Sequence, residues 1–194
     1  IVFLLLSFSL FSQEAIEKSS ISSKELLLLT KQASQYLIES KYELSLAKAR
    51  IALQGAFEVQ DYLTAAKSYN IIAGNYEELY EFKKANFYYK KGLFYANKTA
   101  NDTIKYWLYN NLGNIYCFEE KQLDMGVYYY NKSLKNSEIA SDLKQVYMTN
   151  LNLAWAYFDA KEFKKGKIYL DFINKNSKDI ENNPNLVFLN MLNG

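Results

Sequence analysis

The chain has 194 residues, of which 49% are hydrophobic and 23% are charged, and its 23 basic residues nearly balance its 21 acidic residues. This composition predicts a folded chain and gives no sign of a dedicated nucleic-acid surface. Because histidine is absent and Cys117 is the only cysteine, an intrachain disulfide and a zinc site of the usual His/Cys type are excluded, and we expect no enzyme, no metal and no other cofactor.

The first twelve residues form an apolar run that carries no charge and ends in small residues. Such a run is typical of the hydrophobic core and cleavage end of a secretory signal peptide, and it is too short to span a bilayer. We therefore interpret residues 1–12 as the remnant of an export signal, with the mature protein beginning near Gln13. A buried first helix is the alternative. Residues 13–23 are predicted to be a linker, and export predicts a periplasmic or cell-envelope location.

From Lys24 onward the sequence repeats with a period of 40 or 41 residues. Once in each repeat, a small residue precedes a tyrosine by three positions. The four pairs are Ala33 and Tyr36, Ala73 and Tyr76, Gly113 and Tyr116, and Ala154 and Tyr157. A large apolar residue then precedes a small one by three positions in Tyr42 and Ser45, Phe82 and Ala85, Leu123 and Gly126, and Phe163 and Gly166. Because spacings of three and four place residues on one helix face, each repeat is predicted to be a pair of antiparallel helices with a close crossing.

Eight helices are predicted, near residues 24–39, 42–55, 60–80, 82–97, 103–119, 123–139, 142–160 and 163–175. They form an array over residues 24–176 with four units, 24–56, 60–98, 103–139 and 142–176. Pro184 marks a break after the fourth unit. Residues 177–194 are predicted to be a turn and then the start of a fifth helical unit or a cap.

Particular residues predict the helix ends and crossings. Gly55 and Asn97 suit the ends of helices, and Asp102 and either Ser141 or Asp142 suit their beginnings. Glycine costs a helix about 1 kcal/mol relative to alanine. We therefore expect Gly113 and Gly126 to lie where two helices approach too closely for a larger side chain.

The repeated pattern resembles the tetratricopeptide repeat. The best matches are Tyr109, Leu112, Gly113 and Tyr116 with Gly126, Tyr130, Ser133 and Leu134, followed by Tyr69, Ile72, Ala73 and Tyr76 with Ala85, Tyr89, Gly92 and Leu93. Gln32 and the pair Ile173 and Asn174 depart from the pattern, the proline at the unit end is missing, and the period is about 40 rather than 34 residues. The resemblance covers residues 24 to about 176. It implies an all-α solenoid, a right-handed superhelix of four extended repeats with a truncated or capping fifth helix.

The resemblance also implies a concave groove, lined by the first helix of each pair, that binds an extended segment or a helix of a partner. Alignment of the units places these residues on or near the groove: Asn70, Trp107, Asn110, Asn111, Asn114, Phe118, Asn152, Trp155 and Phe158. Glu77, Glu78 and Met148 fall near the same face. An asparagine amide both donates and accepts hydrogen bonds and can pair with any peptide main chain. In extended-repeat members the asparagines that match Asn111 and Asn152 hold the peptide.

Two alternatives remain for these residues. The chain is rich in asparagine, so an amide is expected on any exposed face. Trp107, Trp155 and Phe158 could instead form core between neighbouring units.

The expected function is a non-catalytic scaffold that binds a protein or peptide and no nucleic acid. It would be the exported sensory or interaction part of a longer bacterial signalling protein, with any membrane anchor outside this segment. The alternative is a structural assembly module of an envelope complex that has no peptide ligand.

Overall fold

The computed structural model describes residues 21–176, which consist almost entirely of helices. These are α1 (Ser23–Ile38), α2 (Tyr42–Glu58), α3 (Tyr62–Glu78), α4 (Phe82–Ala96), α5 (Asp102–Asn114), α6 (Leu123–Ile139), α7 (Leu143–Asp159) and α8 (Phe163–Asn176). A π-helical turn, Ile115–Glu119, continues α5. No strand occurs within residues 21–176. The predicted helices agree with the observed ones to within three residues at each end, except that the helix predicted to reach residue 119 is α-helical only to Asn114. The all-α solenoid is confirmed.

Several predicted segments lie outside the described residues. They are the export-signal remnant at 1–12, the linker as far as residue 20, and the turn and fifth helix at 177–194. The last part of the predicted linker leads into α1. There Ser22 Oγ accepts a hydrogen bond from the Glu25 N–H, and the Glu25 carboxylate accepts one from the Ser22 N–H. This reciprocal cap fixes the beginning of the first helix.

The helices pack in successive pairs, and each pair also contacts the next pair along the chain. A turn of three residues joins the two helices of each unit. The predicted small residues are all buried at these crossings: Ala33, Ser45, Ala73, Ala85, Gly113, Gly126, Ala154 and Gly166. A methyl group at Gly113 would stand 2.5 Å from the ring of Tyr130. The prediction that small side chains mark the closest helix crossings is confirmed.

The repeated tyrosine closes the turn at the end of each first helix. In three units a residue with a left-handed backbone follows the helix: Ser40 (φ 57°), Tyr80 (φ 60°) and Lys161 (φ 61°). The next N–H then donates to the tyrosine carbonyl at 2.8 Å, in the pairs Lys41 and Tyr36, Glu81 and Tyr76, and Glu162 and Tyr157. This six-to-one hydrogen bond is the Schellman motif. The tyrosine therefore occupies the same turn in each of these units.

The third unit differs from the others by one residue. Its tyrosine, Tyr116, lies ten residues before the small residue Gly126, whereas the spacing is nine in the other three units. The extra residue widens the last helical turn, because the Glu120 N–H donates to the Ile115 carbonyl at 3.0 Å and the Gln122 N–H donates to the Tyr116 carbonyl at 2.8 Å. The continuous α-helix predicted over 103–119 is therefore wrong at its end, where a π-helical turn absorbs the insertion.

Two of the predicted helix ends are confirmed. Asp142 caps α7 by accepting a hydrogen bond from the Gln145 N–H at 3.0 Å. Asn97 directly follows the last residue of α4.

Two other predictions of helix ends are wrong. Asp102 is the first residue of α5, and the cap is Asn101, whose side chain accepts from the Ile104 N–H. Gly55 lies inside α2, which ends at Glu58. A methyl group there would stand 2.5 Å from the Ile21 side chain, so this glycine serves packing rather than helix termination.

A stacked pair of tyrosine rings joins the two helices of units two, three and four. The pairs are Tyr76 and Tyr88, Tyr116 and Tyr129, and Tyr157 and Tyr169, with ring centroids 5.3, 5.3 and 5.7 Å apart. The first unit has Lys48 at the position of the second tyrosine. The stack is thus a repeated packing element of the three later units.

Candidate functional site

A pocket of about 380 Å³ opens along the first helices of the second, third and fourth units. We call it the acidic pocket. Its lining consists of Glu77, Asn114, Phe118, Glu119, Met148, Leu151, Asn152 and Trp155. A volume of this size is typical of sites that hold small ligands or side chains. Three consecutive repeats therefore contribute to one concavity.

Helical spacing explains how these side chains meet. Met148, Asn152 and Trp155 lie at positions i, i+4 and i+7 of α7, which places them on one face. Phe118 follows Asn114 by four residues at the end of α5, and both Phe118 and Glu119 belong to the π-helical turn. The insertion in the third unit therefore lies in the wall of the pocket.

Glu77 is the partly buried carboxylate of the pocket. The hydroxyl of Tyr89, which is 2% exposed, donates to Glu77 Oε2 at 2.5 Å. Burial raises the pKa of Glu77, the Tyr89 hydrogen bond opposes this rise, and repulsion from Glu78 and Glu119 adds to it. None of the described residues that line the pocket is basic. The acidic pocket is thus a negative environment with no opposite charge in its described lining.

A buried tyrosine also fixes the amide of Asn114. The Tyr130 hydroxyl donates to Asn114 Oδ1 at 2.7 Å. The Tyr130 ring lies against Gly113, so the close helix crossing and the orientation of Asn114 are linked. Burial raises the pKa of Tyr130, which keeps its hydroxyl protonated and able to donate.

Hydrogen bonds between asparagines join the first helices of neighbouring units. Asn111 Nδ2 donates to Asn70 Oδ1 at 3.1 Å, and Asn152 Nδ2 donates to Asn110 Oδ1 at 3.0 Å. Each contact uses one N–H and one oxygen lone pair, and an asparagine amide has two of each. Asn110 Oδ1 also accepts a hydrogen bond from Thr149 Oγ1 at 3.4 Å. These side chains therefore connect units, and the amides of Asn111 and Asn152 retain capacity to bind a main chain.

A second pocket, of about 440 Å³, lies against α1 and contains two more of the predicted residues, Asn70 and Trp107. Its lining also includes Leu27, Thr30, Lys31, Ser34, Gln35, Ile38, Lys67, Ile71 and Ile104. Trp107 is 41% exposed and is therefore not core. The first helices thus carry a second concavity beside the first unit.

Phe158 does not join the lining of the acidic pocket. Its ring lies 6.1 Å from that of Phe163, and a methyl group at Gly166 would stand 3.0 Å from it. These contacts place Phe158 between α7 and α8. Phe158 therefore packs within the fourth unit rather than between neighbouring units, whereas Trp107 and Trp155 line pockets.

The structure brings four of the nine predicted groove residues together in the acidic pocket: Asn114, Phe118, Asn152 and Trp155. Sequence reasoning missed Glu119 and Leu151. The sequence did carry a signal for Glu119. This residue lies between Tyr116 and Gly126, which are ten residues apart, whereas the equivalent pair is nine residues apart in the other three units.

Residues 21–176 show neither a membrane-spanning helix nor a cluster of metal-binding side chains. No helix in that range has both the length and the apolar character needed to cross a membrane. In the same range, side chains of the metal-binding types form no cluster of three suited to a metal ion.

Comparison with known proteins shows a likeness of fold. No family model matches the sequence, and the search of curated proteins found no match. The structure is similar to that of BtubC (BKLC) from P. vanneervenii, with a TM-score of 0.72 and 19% identity over 93% of this chain and 73% of that chain. It is also similar to the apo form of RapI, with a TM-score of 0.72 and 18% identity over 90% of this chain.

The chain spans 63% of the RapI chain, which is less than two thirds of it. At these identities the similarity concerns the fold alone. The comparisons support a helical-repeat architecture.

Proposed function

We propose that this chain is a non-catalytic scaffold of the tetratricopeptide type, which binds a peptide or an extended protein segment along its first helices. The observation that carries the proposal is the acidic pocket, because its lining comes from three consecutive units. A ligand that follows such a surface would contact one repeat after another, as an extended peptide does.

The asparagine pairs support a role in peptide binding. Asn111 and Asn152 occupy equivalent places in successive units, and each is held by an asparagine of the preceding unit. An amide held in this way loses less conformational entropy when a ligand binds. Main-chain recognition would give affinity for many sequences, and the pockets would select side chains.

The proposed setting is a cell envelope. Its support is the uncharged apolar run at residues 1–12, which is typical of an export signal. We infer that the array senses or recruits a partner as part of a longer bacterial signalling protein.

A selection of random dodecapeptides displayed on phage, with the full chain as the immobilised target, tests the proposal. Enriched peptides are synthesised with a fluorophore, and their affinity is measured by polarisation. We expect Asn152→Ala and Asn111→Ala each to weaken binding about fivefold, since each removes about 1 kcal/mol of hydrogen bonding to the peptide. Asn131→Ala is the matched control, because Asn131 is exposed on a second helix.

Circular dichroism of each variant separates loss of binding from loss of fold. If no peptide is enriched, the peptide-binding function is wrong and the purely structural assembly role gains support. If enriched peptides bind both folded asparagine variants as tightly as the parent, the first-helix asparagines do not hold the ligand.

A further inference from the structure

The lining of the acidic pocket combines two kinds of chemistry. Glu77 and Glu119 supply carboxylates, whereas Phe118, Trp155 and Met148 supply aromatic and thioether surface. An anion would be repelled by the carboxylates. A neutral apolar group would cover Glu77 and leave its charge without a partner, which is costly in a desolvated site. A cation on an apolar stem suits both parts of the lining.

The carboxylate of Glu77 is held in place before any ligand arrives. The buried Tyr89 hydroxyl donates to its Oε2, so one oxygen is anchored from α4. Among residues 21–176, the charged groups whose repulsion acts on Glu77 are Glu78 on its own helix and Glu119 on the π-helical turn, both acidic. The residues that α7 contributes to the pocket carry no charge. Every charged neighbour that the structure shows therefore favours the arrival of a positive group.

The insertion in the third unit makes the pocket specific to this part of the array. It widens the last turn of α5, and both Phe118 and Glu119 belong to that turn. A π-helical turn is less stable than a regular one and is frequently found at functional sites. The extra residue between Tyr116 and Gly126 thus lies in the turn that supplies one acidic side chain, Glu119, and one aromatic side chain, Phe118, to the acidic pocket.

We propose that the acidic pocket binds the side chain of a lysine or arginine in the bound peptide, with Glu77 as the counter-ion and Phe118 and Trp155 along the aliphatic stem. This inference rests on the proposed function, since the same first helices hold the peptide. It adds a requirement that the proposed function does not contain, namely a basic residue in the ligand.

Two synthetic probes test the inference. They are acetyl-Ala-Ala-Arg-Ala-Ala-amide and the same peptide with citrulline, which has nearly the shape of arginine but no charge. The chain has two tryptophans, so a Trp107→Phe background leaves Trp155 as the only tryptophan fluorophore. We expect the arginine probe to change Trp155 fluorescence saturably and the citrulline probe to bind at least about tenfold more weakly.

Glu77→Gln should reduce the affinity for the arginine probe to that for the citrulline probe. Glutamine can still accept the Tyr89 hydrogen bond, so the fold should persist. Glu78→Gln is the matched control, because it removes the same charge from the same helix but does not line the pocket. It should retain most of the preference for arginine.

Equal binding of the two probes, or no saturable change up to about 5 mM of the arginine probe, would overturn the inference. So would equal losses in Glu77→Gln and Glu78→Gln, since a general negative field would then explain the preference. These outcomes leave the proposed function testable on its own, because the random-peptide selection requires no basic residue. Selected peptides that tolerate replacement of every lysine and arginine would refute the cation pocket and support the peptide groove.

Discussion

Gly126 of α6 faces Cys117 of the π-helical turn so closely that a methyl group on Gly126 would stand 2.1 Å from Cys117 Sγ. The same methyl group would lie 3.0 Å from the Cys117 nitrogen and 3.1 Å from the Gly113 oxygen. The two helices of the third unit therefore meet backbone to backbone at this point. Burial raises the pKa of the Cys117 thiol to about 12, so the thiol is a packing group rather than a reactive one at neutral pH.

Gly126→Ala should destabilise the array. Alanine gains about 1 kcal/mol of helix propensity, but the clash forces the helices apart, and overpacking against backbone atoms costs more. We expect a net loss of about 2 kcal/mol in the free energy of unfolding, measured by guanidinium denaturation. Gly74→Ala is the control in another helix, because the nearest neighbour of its methyl group is the flexible end of Leu37 at 3.1 Å. Its stability should stay within about 1 kcal/mol of the parent.

Removing the thiol tests the origin of that loss. Cys117→Ala should recover more than half of the stability lost in Gly126→Ala, because it removes the closest of the three contacts. The coupling energy of the double-mutant cycle gives the interaction directly. Additive effects of the two changes would show that Gly126 and Cys117 are not in contact.

The residues with a left-handed backbone conformation at the helix ends predict a stabilising substitution. Lys161 has φ of 61° and precedes the N–H that closes the turn onto Tyr157. A residue with a Cβ pays a steric cost in that conformation, and glycine does not. Lys161→Gly should therefore raise the free energy of unfolding by about 0.5–1 kcal/mol.

The matched control is Lys135→Gly in the interior of α6, where the residue is exposed. It should lower the free energy of unfolding by about 1 kcal/mol. Thermal unfolding followed by circular dichroism measures both variants. A loss of stability in Lys161→Gly comparable to that in Lys135→Gly would contradict the turn geometry.

The sequence was sufficient to predict the fold, because the residues that pack the helices together recur at a fixed spacing along the chain. Small residues such as Ala73 and Gly113 recur with tyrosines at helical spacing, and this pattern predicts helix pairs and crossings without knowledge of distant contacts. Helix ends depend on single hydrogen bonds, which the repeat pattern does not encode. Gly55 was misassigned because glycine serves both close packing and helix termination, and the sequence does not distinguish the two.

The site was predictable only in part. The register of the repeats placed Asn114, Phe118, Asn152 and Trp155 on first helices, but contact across units depends on how adjacent pairs rotate against each other. Phe158 instead packs within the fourth unit, between α7 and α8. The hydrogen-bond partner of Glu77 could not be predicted from the sequence either, because the Tyr89 hydroxyl that donates to it belongs to another helix.

The stacked tyrosines provide a test of what the repeated aromatic residues contribute. Tyr129 stacks on Tyr116 with ring centroids 5.3 Å apart and an interplanar angle of 18°. Tyr129→Phe keeps the ring and should change the free energy of unfolding by less than about 0.5 kcal/mol. Tyr129→Leu keeps apolar bulk but loses the stack, and should cost about 1–2 kcal/mol. Tyr128→Leu is the control, because Tyr128 is 51% exposed and its ring meets that of Tyr129 edge to face rather than in a stack. Equal losses in Tyr128→Leu and Tyr129→Leu would argue against a structural role for the stack.

The carboxyl of Glu77 should make stability depend on pH. Burial raises its pKa above the ordinary value of 4.5, against the opposing hydrogen bond from Tyr89 and with added repulsion from Glu78 and Glu119. A carboxyl with a raised pKa in the folded state favours folding when protonated. Its stabilising contribution is complete below pH 4.5 and is lost as the pH rises through the raised value.

Glu77→Gln removes this titration and should be more stable than the parent chain at pH 7, whereas the two should converge at about pH 4. Guanidinium denaturation at a series of pH values measures the difference, and Glu78→Gln controls for the change in net charge. A difference between Glu77→Gln and the parent that is the same at both pH values would show that burial does not penalise the ionised carboxylate. Because a bound cation would stabilise that ionised form, adding the arginine probe at pH 7 should narrow the gap between the parent and Glu77→Gln.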